Sequence, residues 1–128
     1  VSNRLIVSRR IGELGPLVSN PQTLNTLFKT RTTDIKAFRR LLKEIDQFGP
    51  NVLHAHGTSV YWGVVAKIFR PKLQLIWHDH LGISPEVIIS NPRRELKFLS
   101  HWIDFIITAN EETEEYWKQS GIKLPDRM

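Results

Sequence analysis

The sequence predicts an α/β fold, in which a parallel sheet carries helices on both of its faces. Apolar runs of strand length alternate with segments of helical periodicity, in the order β, α, β, α, β, α, β, α. Glycine and proline separate most of these segments. The chain has 128 residues, of which 41% are hydrophobic and 24% charged, values typical of one soluble globular domain.

The N-terminal part begins with a predicted strand at residues 5–7, followed by a loop at residues 11–20. Residues 21–30 have a short helical spacing of apolar side chains and are interpreted as a short, weak helix. Residues 33–48 give the clearest helix, with Thr33 as its cap and Gly49 at its end. Its predicted inward stripe consists of Ile35, Phe38, Leu41, Leu42, Ile45 and Phe48.

The central segment, residues 47–80, predicts a βαβ unit. Residues 52–56 and 73–78 are apolar strands, and residues 59–69 between them have one apolar helical face, formed by Val60, Val64, Val65, Ile68 and Phe69. Strands in such a unit are parallel, and their carboxyl ends open onto one crevice. Both strands end in a His-x-His sequence, so we expect four imidazoles near one rim: His54, His56, His78 and His80.

The C-terminal segment predicts two helices around a third buried strand. Asn91 can cap the first helix, with Pro92 at its first position. The strand covers residues 105–109, and Asn110 can cap a final helix at residues 111–119. Four glutamates lie in the first turns of that helix, where the helix dipole favours negative charge, so we prefer a structural explanation to a metal site.

Charge and composition restrict the function classes. The chain lacks cysteine, which excludes disulfides and thiolate metal sites, and no apolar run is long enough for a signal peptide or a bilayer span. The net charge is +5, with an excess of basic residues before residue 73. These residues either form solvated helix faces or meet phosphates or an anionic membrane. Nucleic acid is disfavoured because aromatic residues do not alternate with the basic ones.

Three segments resemble those of a known enzyme family. Residues 50–58, Pro-Asn-Val-Leu-His-Ala-His-Gly-Thr, resemble the "PDVIHAHG" segment of retaining glycosyltransferases with the two-domain GT-B fold, glycosyltransferase family 4 in particular. Residues 73–79 resemble the next strand of that family, which ends in a His-Asp or similar pair. Residues 104–111 resemble its "aDaiitaSe" strand, with Asn110 at the usual serine. The segments follow the order and spacing of the family over residues 33–120.

The resemblance implies that residues 1–128 belong to the N-terminal, acceptor-side Rossmann-like domain, which is one half of a GT-B fold. The opening strand of the family and its donor-binding Glu-x7-Glu domain are not evident, so we expect the isolated chain to be inactive. The parent enzyme would be a hexosyltransferase-like enzyme of polysaccharide or glycolipid biosynthesis. It would transfer sugar from a nucleotide-sugar to a carbohydrate or lipid-linked acceptor, in the cytoplasm or at the inner face of the membrane, without metal or cofactor.

The candidate site residues each have a structural alternative. By the resemblance, His78 faces the donor sugar and is the candidate catalytic residue. The candidate substrate-binding residues are His56, Gly57, Thr58, Asp79 and His80. Gly57 and Thr58 start a helix whose free backbone N–H groups suit a phosphate or a sugar hydroxyl, and the structural alternative is that Thr58 or Ser59 caps it. Asp79 could orient an imidazole or a sugar hydroxyl, or serve only a turn.

Two further residues are assigned to the core, and two other functions are kept open. His54 is interpreted as a packed core histidine and Trp77 as a core aromatic. The first alternative function is a metal-dependent hydrolase that uses the two His-x-His pairs and Asp79. The second is a non-catalytic interaction module in which the histidines are structural.

Overall fold

The computed structural model describes residues 2–9, 13, 15–17, 24–31, 33–80 and 93–121. The chain divides into two compact units, Val1–Pro50 and Asn51–Met128, each of which is described by itself. Every strand pair in the described residues is parallel. The predicted α/β architecture with parallel strands and flanking helices is therefore confirmed.

The described strands and helices follow one another along the chain as predicted in most places. The strands are β1 (Leu5–Val7), β2 (Leu24–Thr26), β3 (Val52–His56), β4 (Gln74–Asp79) and β5 (Phe105–Thr108). The helices are α1 (Ile35–Phe48), α2 (Val60–Phe69), α3 (Leu96–Leu99) and α4 (Glu111–Gln119). Short 3₁₀ turns occur at Gly15–Leu17, Gly57–Ser59 and Ser100–Trp102.

In the unit Val1–Pro50, β1 and β2 form a two-stranded parallel sheet in which Leu5 pairs with Leu24. The predicted short helix at residues 21–30 is wrong where the structure describes it, because the Leu24–Thr26 segment is a strand. The pairing continues beyond β2, where the Leu27 N–H donates to the Val7 carbonyl at 2.9 Å. Ladder hydrogen bonds to β1 thus prevail over the weak helical spacing of a short segment.

Helix α1 is confirmed, with one change at its start. Asp34, rather than Thr33, is the capping residue, since its backbone is extended and its carboxylate accepts from the Ala37 N–H at 3.1 Å. Gly49 ends the helix in the left-handed conformation, with φ of 64°, as predicted. The buried face consists of Ala37, Leu41 and Ile45, so the predicted stripe is rotated and Ile35 is exposed.

In the unit Asn51–Met128, the sheet has the order β3-β4-β5. His56 pairs with His78, and Trp77 pairs with Ile106. The prediction that these three strands are parallel members of one sheet, with both histidine pairs at the same edge, is confirmed. Because side chains alternate along a strand, the two faces of the sheet differ in composition. One face is apolar and buried, with Ala55, Leu75, Trp77 and Ile106, and the other carries the histidines.

The described helices of this unit contribute to a core on the apolar face. Helix α2 packs against β3 and β4, with Gly63 so close that an added Cβ would lie 2.8 Å from Leu75 Cδ1. Trp117 of α4 meets Trp77 edge to face, with ring centroids 5.6 Å apart. The predicted inward face of α2 needs correction, because three of its members are exposed: Val65, Ile68 and Phe69.

The C-terminal elements agree with the prediction where they are described. Asn110 caps α4, since its side chain accepts from the Thr113 N–H at 2.8 Å. The helix before β5 is shorter than predicted, and the proposed cap Asn91 and Pro92 lie outside the described residues. In the part of the chain that the structure describes, no helix has both the length and the apolar character needed to cross a bilayer.

Candidate functional site

Four histidines gather at the carboxyl end of β3 and β4, on the sheet face opposite the apolar core. His54 and His56 alternate with the partly buried Leu53 and the buried Ala55 of β3, and His78 lies opposite His56 in register. The ring centroids are 4.4 Å apart for His54 and His56, and 3.8 Å apart for His78 and His80. The predicted cluster of imidazoles at one rim is therefore present.

The cluster includes His54, which the sequence predicts in the core. His54 is exposed, so its interpretation as a core histidine is wrong. His54, His56 and His78 each offer a ring nitrogen, and these three nitrogens all lie within 4.8 Å of one another. The signal in the sequence was the alternation itself, because Leu53 and Ala55 supply an apolar side to β3 and leave the histidines on the polar side.

The histidines also contact one another in pairs. His56 Nδ1 lies 2.6 Å from His80 Nε2, a hydrogen-bond distance at which one nitrogen donates and the other accepts. Partial burial, followed by the neighbouring imidazoles, lowers the pKa of His56 below its usual value. Desolvation, followed by His80 and His54, lowers the pKa of His78, while the Asp79 carboxylate opposes this shift. Both rings therefore favour the neutral form at neutral pH, in which one nitrogen keeps its lone pair.

The turn that follows β3 is held by a glycine. Gly57 has φ of 53°, a conformation that glycine adopts without steric cost, and its carbonyl accepts from Trp77 Nε1 at 3.0 Å. Thr58 and Ser59 are exposed. Ser59, which precedes α2, makes no side-chain capping hydrogen bond, so the expectation that it caps the helix is not met. The turn places Gly57 and Thr58 directly after His56.

Asp79 is directed to the opposite face of the sheet from the imidazole of its neighbour His78. Its side chain is fully buried, and its carboxylate accepts from Trp117 Nε1 at 2.9 Å. Arg93 Nη2 lies 3.5 Å from the same carboxylate oxygen, and the guanidinium stands over the rings of Trp77 and Trp117. The structure therefore does not bring Asp79 together with His56, although the sequence grouped them. Trp77 is fully buried, which confirms its predicted place in the core.

This arrangement can act in two chemical ways. Neutral imidazoles can donate to and accept from hydroxyl or phosphate oxygens, and clustered imidazole nitrogens can bind a transition metal. The sequence could not identify Arg93 and Trp117 as partners of Asp79, because neither is its near neighbour in the chain and neither belongs to a recognisable motif.

Comparisons of the chain with protein-family models, with curated proteins and with solved structures find no match.

Proposed function

We propose that this chain is part of the acceptor-side domain of a retaining glycosyltransferase. The resemblance of its three segments to glycosyltransferase family 4 motivates the proposal. The observation that carries it is the position of His56 and His78, which face each other at the carboxyl ends of adjacent parallel strands. Ligands of open α/β sheets bind at such an edge. One half of a GT-B fold presents this edge to a nucleotide-sugar held by the other half.

Sugar hydroxyls match the chemistry of the cluster. Each hydroxyl donates one hydrogen bond and accepts others, and a neutral imidazole has one donor and one acceptor nitrogen. His54 and His56 are exposed, and His78 is half-buried, so their rings are open to a ligand in this structure. The exposed Thr58 hydroxyl follows directly on the same rim. These groups would orient a carbohydrate or a lipid-linked acceptor, while the donor domain would hold most of the nucleotide.

His78 is our candidate catalytic residue for the transfer. It would donate a hydrogen bond to the donor where charge develops as the glycosidic bond breaks. Loss of such a donor costs roughly 3 to 4 kcal/mol of transition-state stabilisation, or about two to three orders of magnitude in rate. We do not assign Asp79 to this step, because its carboxylate is buried and accepts from Trp117 Nε1.

The charge distribution supports an enzyme of polysaccharide or glycolipid biosynthesis at the cytoplasmic face of a membrane. Helix α1 carries exposed basic side chains, Lys36, Arg39, Arg40 and Lys43. Such a face attracts anionic lipid headgroups or lipid-linked diphosphates. Vesicles with and without anionic lipid would test this part of the proposal, since binding should require the anionic lipid and weaken with salt.

The test of transfer uses a protein that carries this chain together with a donor domain. The unaltered protein should transfer sugar from at least one nucleotide-sugar of a donor panel, with retained anomeric configuration by NMR. His78→Ala should lower turnover by about two to three orders of magnitude. His101→Ala is the matched control, because His101 is exposed and hydrogen-bonds Phe98 at 2.9 Å outside the cluster. Normal turnover of His78→Ala would overturn its assignment, and absence of transfer from every donor would overturn the proposal.

A metal-dependent hydrolase is the second candidate function. The observation that favours it is the convergence of the three ring nitrogens of His54, His56 and His78. A catalytic zinc ion with three protein ligands keeps one position open for water and lowers the pKa of that water. Hydrolysis of a phosphate or carboxylic ester that depends on added zinc, without any sugar transfer, would favour this candidate over the first.

A further inference from the structure

The described histidines on β3 and β4 have the arrangement of a metal-ligand set. His54 and His56 are two residues apart on one strand, and His78 is the register partner of His56 on the next. All three rings project from the same face, and their nitrogens lie within 4.8 Å of one another. We infer that His54, His56 and His78 bind one divalent transition-metal ion, which is the metal site that the hydrolase candidate needs.

The observed separations are close to those that a metal requires. Zinc–nitrogen bonds of 2.0–2.1 Å in tetrahedral geometry set ligand nitrogens about 3.3 Å apart. The three nitrogens are thus within roughly 1.5 Å of coordinating distances. Rotation about the side-chain torsions of these histidines, of which His54 and His56 are exposed, supplies such a shift. The backbone needs no rearrangement, because the parallel ladder between β3 and β4 already fixes both strands.

The ligand chemistry selects the class of ion. Imidazole suits zinc, copper, nickel and cobalt, whereas magnesium and calcium take carboxylate, carbonyl and water oxygens. Three histidines form one of the ligand sets of catalytic zinc sites, with the fourth position open. The group of three nitrogens contains no carboxylate, so bound zinc would keep its positive charge. The open position would therefore accept an oxygen from water or from an anion such as phosphate.

His80 fits the role of a positioning residue. Ligating histidines usually donate their second ring N–H to a nearby acceptor, which fixes the tautomer and the ring orientation. His56 Nδ1 lies 2.6 Å from His80 Nε2. With the metal on His56 Nε2, the His56 Nδ1–H would donate to His80. The second histidine of the β4 pair thus supports the ligand on β3.

The first measurement is the affinity and stoichiometry of zinc for the full 128-residue chain, prepared without a polyhistidine tag and stripped with chelator. Calorimetric titration with Zn²⁺ should give one ion per chain. Cobalt should give the visible absorption of a tetrahedral site, a signature that scattered surface histidines would not produce. Absence of stoichiometric zinc binding, or an octahedral cobalt spectrum, would overturn the inference.

Single variants identify the ligands. His54→Ala, His56→Ala and His78→Ala should each weaken zinc binding at least 100-fold. His80→Ala should weaken it by about 10- to 100-fold, as expected for the partner of a ligand. His101→Ala is the matched control and should stay within about twofold. Retained affinity in the three ligand variants, or an equal loss in His101→Ala, would contradict the assignment.

Zinc binding and sugar transfer are tested by separate readouts. The titration needs neither a nucleotide-sugar nor a donor domain, so its failure would leave the glycosyltransferase proposal in place. Failure of every transfer assay would likewise leave the metal site standing if zinc binds as described.

Discussion

The two faces of the β3-β4-β5 sheet differ in almost every physical respect. On one face Leu75 and Trp77 are fully buried, and Ile106 is 1% exposed. On the other face His54 and His56 are exposed, and His78 is half-buried. The same strands supply both sets, because consecutive side chains of a strand point to opposite faces. The alternation of side chains along these strands thus separates the residues that pack in the core from the histidines that can contact a ligand.

This difference has a direct consequence for substitutions. A change on the apolar face should lower the free energy of unfolding and leave the chemistry of the imidazoles intact. A change on the histidine face should do the reverse. The four tryptophans of the chain all belong to the unit Asn51–Met128, so their fluorescence reports unfolding of this unit in urea.

The largest loss of unfolding free energy is expected at Asp79. The sequence predicts this residue in the candidate site, whereas the structure places it in the core. Asp79→Ala removes the acceptor of the Trp117 indole N–H and the counter-charge of the buried Arg93. An uncompensated buried charge costs about 3 to 5 kcal/mol of unfolding free energy. Urea denaturation should show this loss, while zinc affinity stays within about threefold. A stable Asp79→Ala protein would place this carboxylate outside the core.

A matched pair on β5 compares the faces with the residue type held constant. Ile106 is 1% exposed and its neighbour Ile107 is 42% exposed. Ile106→Ala should cost about 3 kcal/mol, since it leaves a cavity in the core. Ile107→Ala should cost less than about 1 kcal/mol, because the removed methyl groups already contact solvent. Equal losses in urea denaturation would show that the second face is covered as well as the first.

The sequence predicted most of the elements of this unit because its signals are local. Strand length, the glycine at residue 57 and the cap at Asn110 each depend on a few neighbouring residues. The sequence-based prediction of buried residues failed where burial depends on which face of the sheet the helices cover. The position of His54 inside a short apolar strand predicts a core residue, yet it is exposed. The helical spacing of Val65, Ile68 and Phe69 predicts an inward face, yet these side chains are exposed, and α2 lies close to Leu75 at Gly63.

The candidate site was predictable in part because its main signals are also local. The two His-x-His sequences at the ends of parallel strands are enough to place imidazoles at one rim. Asp79 and the buried Arg93 belong to different segments of the chain and share no short motif, so no local pattern could indicate their contact. In the N-terminal unit, β2 was missed because its pairing with β1, rather than its own composition, makes it a strand.

A smaller effect is expected at the cap of α4, the helix that brings Trp117 to the apolar face. Asn110→Ala removes the side-chain acceptor of the Thr113 N–H and should cost about 1 kcal/mol. Asn110→Asp is the control, because its carboxylate can accept the same hydrogen bond and also suits the helix dipole. Urea denaturation should show that Asn110→Ala is less stable than the unaltered protein and than Asn110→Asp. If Asn110→Asp is as unstable as Asn110→Ala, the capping role of Asn110 is contradicted.

The smallest effect on stability is expected at His54, and it tests the comparison most sharply. His54→Ala removes an exposed ring from the histidine face, so the free energy of unfolding should change by no more than about 0.5 kcal/mol. Leu53, the preceding residue, is partly buried against the core on the other face, and Leu53→Ala should cost about 2 kcal/mol. Both variants are measured in urea with chelator present, so that bound metal does not add to the stability of the unaltered protein. If His54→Ala loses as much stability as Leu53→Ala, the histidine face is a packed surface, and the separation of packing from chemistry in this sheet is wrong.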